Sequence, residues 1–169
     1  FLLALICLPE VIIAQSSIAR KGQIDLRGWD FIEQGPVSLM GEWEFYMSEL
    51  INPADLVNSS KDFIDFPNTW NDLSKSMNPG EGYATYRLKV LINSPMPLAL
   101  ELPHFYSNYD LWVNSKKIAS NGKVGTSEKT SVPQWLPQTI RFAADNDTLD
   151  IVVQVSNFHH AKGGVREPM

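Results

Sequence analysis

The strongest pattern along the chain has a period of two. In 148–156 (TLDIVVQVS), Leu149, Ile151, Val153 and Val155 fall on one side of an extended backbone, and Asp150, Val152, Gln154 and Ser156 on the other. That is nearly the signature of a strand with one face in a core. The same test predicts strands at 41–46 (GEWEFY), 62–66 (DFIDF), 83–92 (YATYRLKVLI), 98–102 (LALEL) and 109–113 (YDLWV). Between them lie turn formers: Asn78-Pro79-Gly80-Glu81-Gly82, Asn93-Ser94-Pro95 and Asn121-Gly122. Many short strands punctuated in this way predict an all-β sandwich or barrel. One short helix is expected around 47–57, limited by Pro53 to a turn or two on either side. No repeat or linker interrupts the stretch from Gly22 to Gly164, so a single domain is expected.

The N-terminus has a different pattern. Residues 1–8 (FLLALICL) are apolar throughout, Pro9-Glu10 interrupts, and 11–14 (VIIA) resumes before the polar Gln15-Ser16-Ser17. The run is shorter than the roughly 18 apolar residues of a membrane-spanning helix and reads as the end of a secretory signal, 1–14, with a second cleavage position after Ala19. The expected mature domain is 15–169, exported to the periplasm or the extracellular space. With no initiator Met and no basic region ahead of Phe1, the N-terminus is expected to be truncated. The residue before Cys7 is Ile6, where lipid attachment requires a small residue, so lipidation is not expected.

Composition changes this picture little. Of 169 residues, 44% are apolar and 20% charged, and the net charge of −5 stays mildly acidic once Glu10 is removed with the leader. That balance argues against nucleic acid or anionic lipid as the main partner. Cys7 is the only cysteine, so an oxidising compartment would give the mature domain no disulfide.

No catalytic constellation emerges. Glu42 and Glu44 lie two apart on one predicted strand, where they share a face opposed by Trp43 and Phe45 and read as a solvated surface. A glycosidase needs two carboxylates facing each other across a cleft. No nucleophile-elbow, phosphate-loop, paired-cysteine or His-Glu-x-x-His pattern occurs.

Several segments taken in order carry a resemblance: Ile24-Asp25-Leu26-Arg27, Trp29-Asp30-Phe31, Gly41-Glu42-Trp43-Glu44-Phe45-Tyr46, Pro67 with Trp70, 80–88 (GEGYATYRL), Leu111-Trp112-Val113-Asn114 and 155–160 (VSNFHH). Over Lys21 to Gly164 the chain resembles the N-terminal extracytoplasmic domain of bacterial seven-transmembrane receptors with diverse intracellular signalling modules. It is also similar to the sugar-binding domain of family-two glycoside hydrolases, where a Gly-x-Trp-x-Phe strand and a Trp-Val-Asn strand recur. The resemblance implies a jelly-roll β-sandwich of the galactose-binding kind, working as a non-catalytic sensor or ligand-binding domain of a membrane receptor. The alternative it carries is the accessory domain of a secreted glycoside hydrolase. Implied partners are a small molecule, with carbohydrate as the class indicated, and a downstream membrane domain of the same chain. No cofactor is implied. Ser115 stands where the family turns with Gly, and Arg166 where an aromatic comes after the Gly163-Gly164 pair; the latter, with the end at Met169, implies a missing or altered last strand.

Ligand-contact candidates are suggested by loop position. Trp70, Tyr83, Tyr106 and Trp135 lie in or beside segments marked by Pro, Gly or Asn, where recognition concentrates. Trp43, Phe45, Tyr86 and Trp112 lie in strand patterns and are assigned to the core. Arg87 is open between a ligand and an internal carboxylate. His159 and His160, adjacent on extended backbone, point to opposite faces and so do not chelate one metal together; either suits a loop mouth. Asn157 joins them through the shared motif. His104 stands apart and receives no role. Asp145-Asn146-Asp147 reads as a turn rather than a calcium loop, because calcium takes about 6 to 8 oxygens.

Overall fold

The structure is a computed structural model that describes residues 17–58, 62–73, 77–93 and 95–169, with only the backbone of 57 and 58. Residues 1–14 and Cys7 lie outside the described residues.

Among the described residues there are eleven strands: β1 (Gln23–Asp25), β2 (Gly41–Met47), β3 (Asp62–Phe66), β4 (Gly82–Leu91), β5 (Met96–Leu102), β6 (Phe105–Tyr106), β7 (Asn108–Val113), β8 (Lys116–Asn121), β9 (Gln138–Ala144), β10 (Thr148–Asn157) and β11 (Gly164–Val165). The large sheet has the order β3-β2-β4-β10-β7-β8, with β1 added in parallel to the far end of β4. Facing it are two short ladders, β5 with β9 and β6 with β11, which complete a jelly-roll β-sandwich. All six strands read from the alternation are there, within one or two residues at each end.

The core is set by the parity of the central strands. β4 and β10 pair antiparallel over their whole length, Leu91 opposite Thr148 and Gly82 opposite Asn157. This places Tyr86, Leu88 and Val90 beside Leu149, Ile151 and Val153 on the inner face, all at most 3% exposed. Trp43 stacks on Phe66 with centroids 4.2 Å apart, and Tyr86 contacts both Phe45 and Phe66. Each such side chain contributes about 1.5–3 kcal/mol by burial, so the sandwich needs no covalent staple.

The outer face of the large sheet is covered rather than solvated. Residues 48–58, ending in a 3₁₀ turn at Pro53–Asn58, lie across it and bury Ile51 and Leu56 against Tyr46 and Val152. The cover is pinned by polar bonds: Ile51 N donates to Thr85 Oγ1 (3.0 Å), and Gln154 Nε2 to Ile51 O (2.9 Å). Pro53 therefore opens the helical turn instead of dividing one, since its missing N–H is no loss at a first helical position. The cover also corrects two expectations. Glu44 is 4% exposed, not on a solvated face, and Trp112 stands on this outer face against Val152, half-buried, with Lys117 Nζ 5.2 Å from its ring centre.

Under the cover sits a charge network. Arg87 binds Asp150 in a two-pronged pair (2.7 and 2.8 Å) and reaches Glu44 Oε2 at 3.4 Å, while Tyr46 Oη donates to the same oxygen at 3.0 Å. Two parallel N–H···O bonds to one carboxylate are the strongest geometry a guanidinium makes. The Asp150 bonds hold the Arg87 pKa above its already high value, and burial together with the Glu44 charge pushes the Tyr46 phenol up to about 12.

Candidate functional site

The central register decides which loops share an end. Gly82 opposes Asn157, Ser156 opposes Asn108, and Tyr109 opposes Asn121. The loops at 78–81, 103–107, 122–137 and 157–163 therefore converge at one end of the sandwich. Asp145-Asn146-Asp147 lies at the other end, turning β9 into β10, with Asp147 O accepting from Ile92 N.

A buried polar network fixes the floor of the loop end. Asn108 Nδ2 donates to Ser131 Oγ (2.8 Å), Ser156 Oγ donates to Asn108 Oδ1 (2.6 Å), and Gly125 N donates to Ser156 Oγ (3.0 Å). Asn108, Ser131 and Ser156 are all at most 4% exposed, so each would be costly without these partners. Together they clamp the long 122–137 loop onto strands β7 and β10.

Asn157 does the same for the 157–163 loop. Its Nδ2 lies within bonding distance of the carbonyls of Gly80 (2.8 Å), His160 (2.6 Å) and Lys162 (2.9 Å), and its Oδ1 accepts from the backbone of His159 (3.3 Å) and His160 (3.0 Å). Two amide hydrogens serve three carbonyls, so at least one is shared. Asn157 is fully buried and faces backbone.

Trp70 is likewise committed, contrary to the expectation of an open loop platform. It is 0% exposed, its Nε1 donates to Gly80 O (3.0 Å), and its backbone N–H donates to Gly163 O (3.1 Å). A Cβ at Gly163 would fall 2.1 Å from Trp70 Nε1, so only glycine lets that backbone lie on the indole. The cause is the path of 67–70, which leaves β3 and pairs Thr69 with Gly164, carrying the indole into the sandwich. Arg87 is far from the loop end, in mid-strand, and has its carboxylate partners there. Tyr83 is half-buried with its ring centre 6.5 Å from Phe158.

The remaining candidates do assemble. Trp135 is 62% exposed and stacks on His104 with centroids 4.0 Å apart. Two residues beyond His104, Tyr106 stacks on His160 at 4.5 Å with an interplanar angle of 8°. Tyr106 itself is buried under that imidazole, and His160 is exposed. His160 Nδ1 lies 3.0 Å from Lys162 N and 3.1 Å from Lys162 O, which ties the ring to the backbone of the loop. His159 Nε2 lies 3.3 Å from Ser131 O, tying the 157–163 loop to the 122–137 loop. Val132 and Leu136, 53% and 49% exposed, flank Trp135.

His104, the residue given no role, is thus the bracing partner of the most exposed tryptophan of the loop end. Its signal lay in His104-Phe105-Tyr106: on extended backbone His104 and Tyr106 share a face and Phe105 turns inward, where it is 2% exposed. Among the described residues, no group of three or more His, Cys, Asp or Glu is placed to hold a metal. Chemically, the end offers flat ring surface, imidazole N–H groups and loop backbone, held rigid from below.

No family model matches the sequence, and no curated protein matches it. Solved structures do match in fold. A β-glucuronidase 2 from Bacteroides uniformis is 16% identical with a TM-score of 0.58, covering 78% of this chain and 17% of that one. A glycosyl hydrolase family 2 member from Bacteroides cellulosilyticus is 19% identical at 0.56, covering 76% and 19%. A family 2 β-galacturonidase from Eisenbergiella tayi is 13% identical at 0.53, covering 78% and 23%. The chain thus shares its β-sandwich fold with a portion of each of these enzymes and spans less than a quarter of their length.

Proposed function

We propose that this chain is a non-catalytic recognition domain that works outside the cytoplasm and takes a carbohydrate at its loop end. The observation that carries the reading is the exposed indole of Trp135, braced face to face by His104 where the loops converge. Sugar rings present C–H faces that stack on such an indole, and the neighbouring imidazoles and loop backbone can bond ring hydroxyls. The two carboxylates of β2 are otherwise engaged: Glu42 accepts from Lys21 N, and Glu44 holds Arg87 and Tyr46. In the role we favour, the domain is the sensor of a membrane receptor, and ligand occupancy shifts how it docks on the membrane portion.

The accessory-domain reading is supported by a specific finding, since the matched enzymes are glycoside hydrolases of which the chain spans about a fifth. Both readings place recognition at the same end. They differ in the sequence expected downstream in the gene: several apolar helices of about 20 residues, or a β/α barrel.

The test is a glycan array and then calorimetry on the parent, Trp135→Ala and His104→Ala, with circular dichroism to verify folding. We expect a glycan ligand whose affinity falls tenfold or more in both variants. A ligand whose affinity ignores both substitutions, or no glycan ligand at all, overturns the reading in favour of a docking module.

A further inference from the structure

The two ring stacks of the loop end share a root, and their spacing bears on the size of the ligand. His104 and Tyr106 are two residues apart on extended backbone, so their side chains leave one face roughly 7 Å from each other. Each carries an outer ring. Trp135 lies on His104 with centroids 4.0 Å apart, and His160 lies on Tyr106 at 4.5 Å with the planes 8° from parallel. The outer rings come from different loops, 122–137 and 157–163, and both are exposed.

Both outer rings are also held in place before any ligand arrives. Gln134 N, next to Trp135, donates to Ser107 O (3.2 Å), next to Tyr106. The imidazole of His160 is tied to the backbone of Lys162, and Asn157 fixes the carbonyls of His160 and Lys162 from below. His159 Nε2, 3.3 Å from Ser131 O, links the two loops to each other. Two flat faces set side by side in this way need little ordering on binding, which is the cost that otherwise erodes a second contact.

We propose that the loop end recognises a linear oligosaccharide rather than a single sugar, with neighbouring sugars stacked on Trp135 and on His160. The inference rests on the carbohydrate reading above and adds to it the number of sugars read. A monosaccharide covers the indole and leaves the imidazole bare. A second sugar meets a ring already in position, and its contact is gained within one molecule, without a second loss of translational freedom. The separation of the two roots is of the order of the step from one ring to the next in a linear glycan.

The experiment measures affinity against chain length by calorimetry. Three series serve as probes, each from one sugar to four: glucose to cellotetraose, xylose to xylotetraose and galacturonate to tetragalacturonate. The proteins are the parent, His160→Ala, His160→Phe and Trp135→Ala, with circular dichroism to verify folding. Because Asn157 grips main-chain atoms, His160→Ala should leave the loop where it is. In at least one series we expect a gain of roughly tenfold or more from one sugar to two or three. His160→Ala should flatten that gain, His160→Phe, which keeps a flat ring, should retain it, and Trp135→Ala should lower affinity at every length. Affinity that does not depend on length, or a gain that survives His160→Ala, overturns the oligosaccharide inference and leaves the carbohydrate reading standing. Silence of all three series, or binding indifferent to Trp135→Ala, overturns the carbohydrate reading and this inference with it.

Discussion

Trp70 and Trp135 occupy similar loop contexts in sequence and opposite states in the structure, so truncating each to alanine separates fold from recognition. Trp70 is fully buried, and a tryptophan removes on the order of 200 Å² of surface from water, about 5 kcal/mol at 25 cal/mol per Å². Incomplete collapse around the missing indole and a partly compact unfolded chain bring the expectation to about 3–5 kcal/mol for Trp70→Ala. The lost Nε1 bond adds under about 1 kcal/mol, because Gly80 O keeps its second donor, Asn157 Nδ2. Trp135 is 62% exposed and touches chiefly one imidazole, so Trp135→Ala should cost less than about 1 kcal/mol. Urea titrations monitored by far-ultraviolet circular dichroism, which does not depend on the tryptophan removed, read both. A domain of this size holds about 5–15 kcal/mol in all, so the Trp70 variant should lose about a fifth or more of its midpoint. Parent-like stability for Trp70→Ala, or an equal loss for Trp135→Ala, would refute the assignment of one ring to the core and the other to the surface.

Asn114 and Ser115 both adopt left-handed backbone, with φ of 48° and 64°, in the two-residue turn that joins β7 to β8. Asn tolerates this well and Ser does not, so Ser115→Gly should raise stability by about 0.5–1 kcal/mol, read as a higher urea midpoint at unchanged slope; no gain would show that the turn carries no strain. The Tyr46 phenol, held near 12 by burial and then by Glu44, favours its neutral form in the folded state over the usual value near 10. Its stabilising contribution is therefore complete below pH 10 and is lost as pH rises from 10 through 12. Alkaline unfolding of the parent should be steeper over that interval than that of Tyr46→Phe, and identical pH profiles would contradict the buried Tyr46–Glu44 bond.

The strands legible in sequence are those whose two faces differ strongly. β4 and β10 alternate over ten residues each because one side is core throughout. β9 escaped because only Ile140, Phe142 and the small Ala144 mark its inner side, and β8 because Ala119 and the half-buried Ile118 are its only apolar residues. Trp112 reads as core because large aromatics in strand patterns are more often core than platform, yet it shares parity with Asp110 rather than with Leu111 and Val113, and that parity tells its face. Trp70 carried no such mark: Pro67-Asn68-Thr69 reads as a surface turn, and only the long-range pairing with Gly163 and Gly164 turns the indole inward. The exposed Trp135 was legible from its loop. Its brace, His104, was visible only as one member of a strand face whose neighbours were unknown.

The bonds of Asn157 bear on how this end of the molecule can diversify. Every group it holds is a main-chain atom, of Gly80, His159, His160 and Lys162, so its grip on the 157–163 loop does not depend on the side chains at 159–162, although His159 and His160 add side-chain contacts of their own to Ser131 O and Lys162 N. A substitution at 161 or 162 leaves these main-chain bonds in place. Asparagine itself has no substitute: aspartate in its place would aim a carboxylate at three carbonyls and lose both donors. One amide thus anchors the backbone of a whole loop, so that a change in the exposed side chains of 161 and 162 need not disturb the sandwich beneath them.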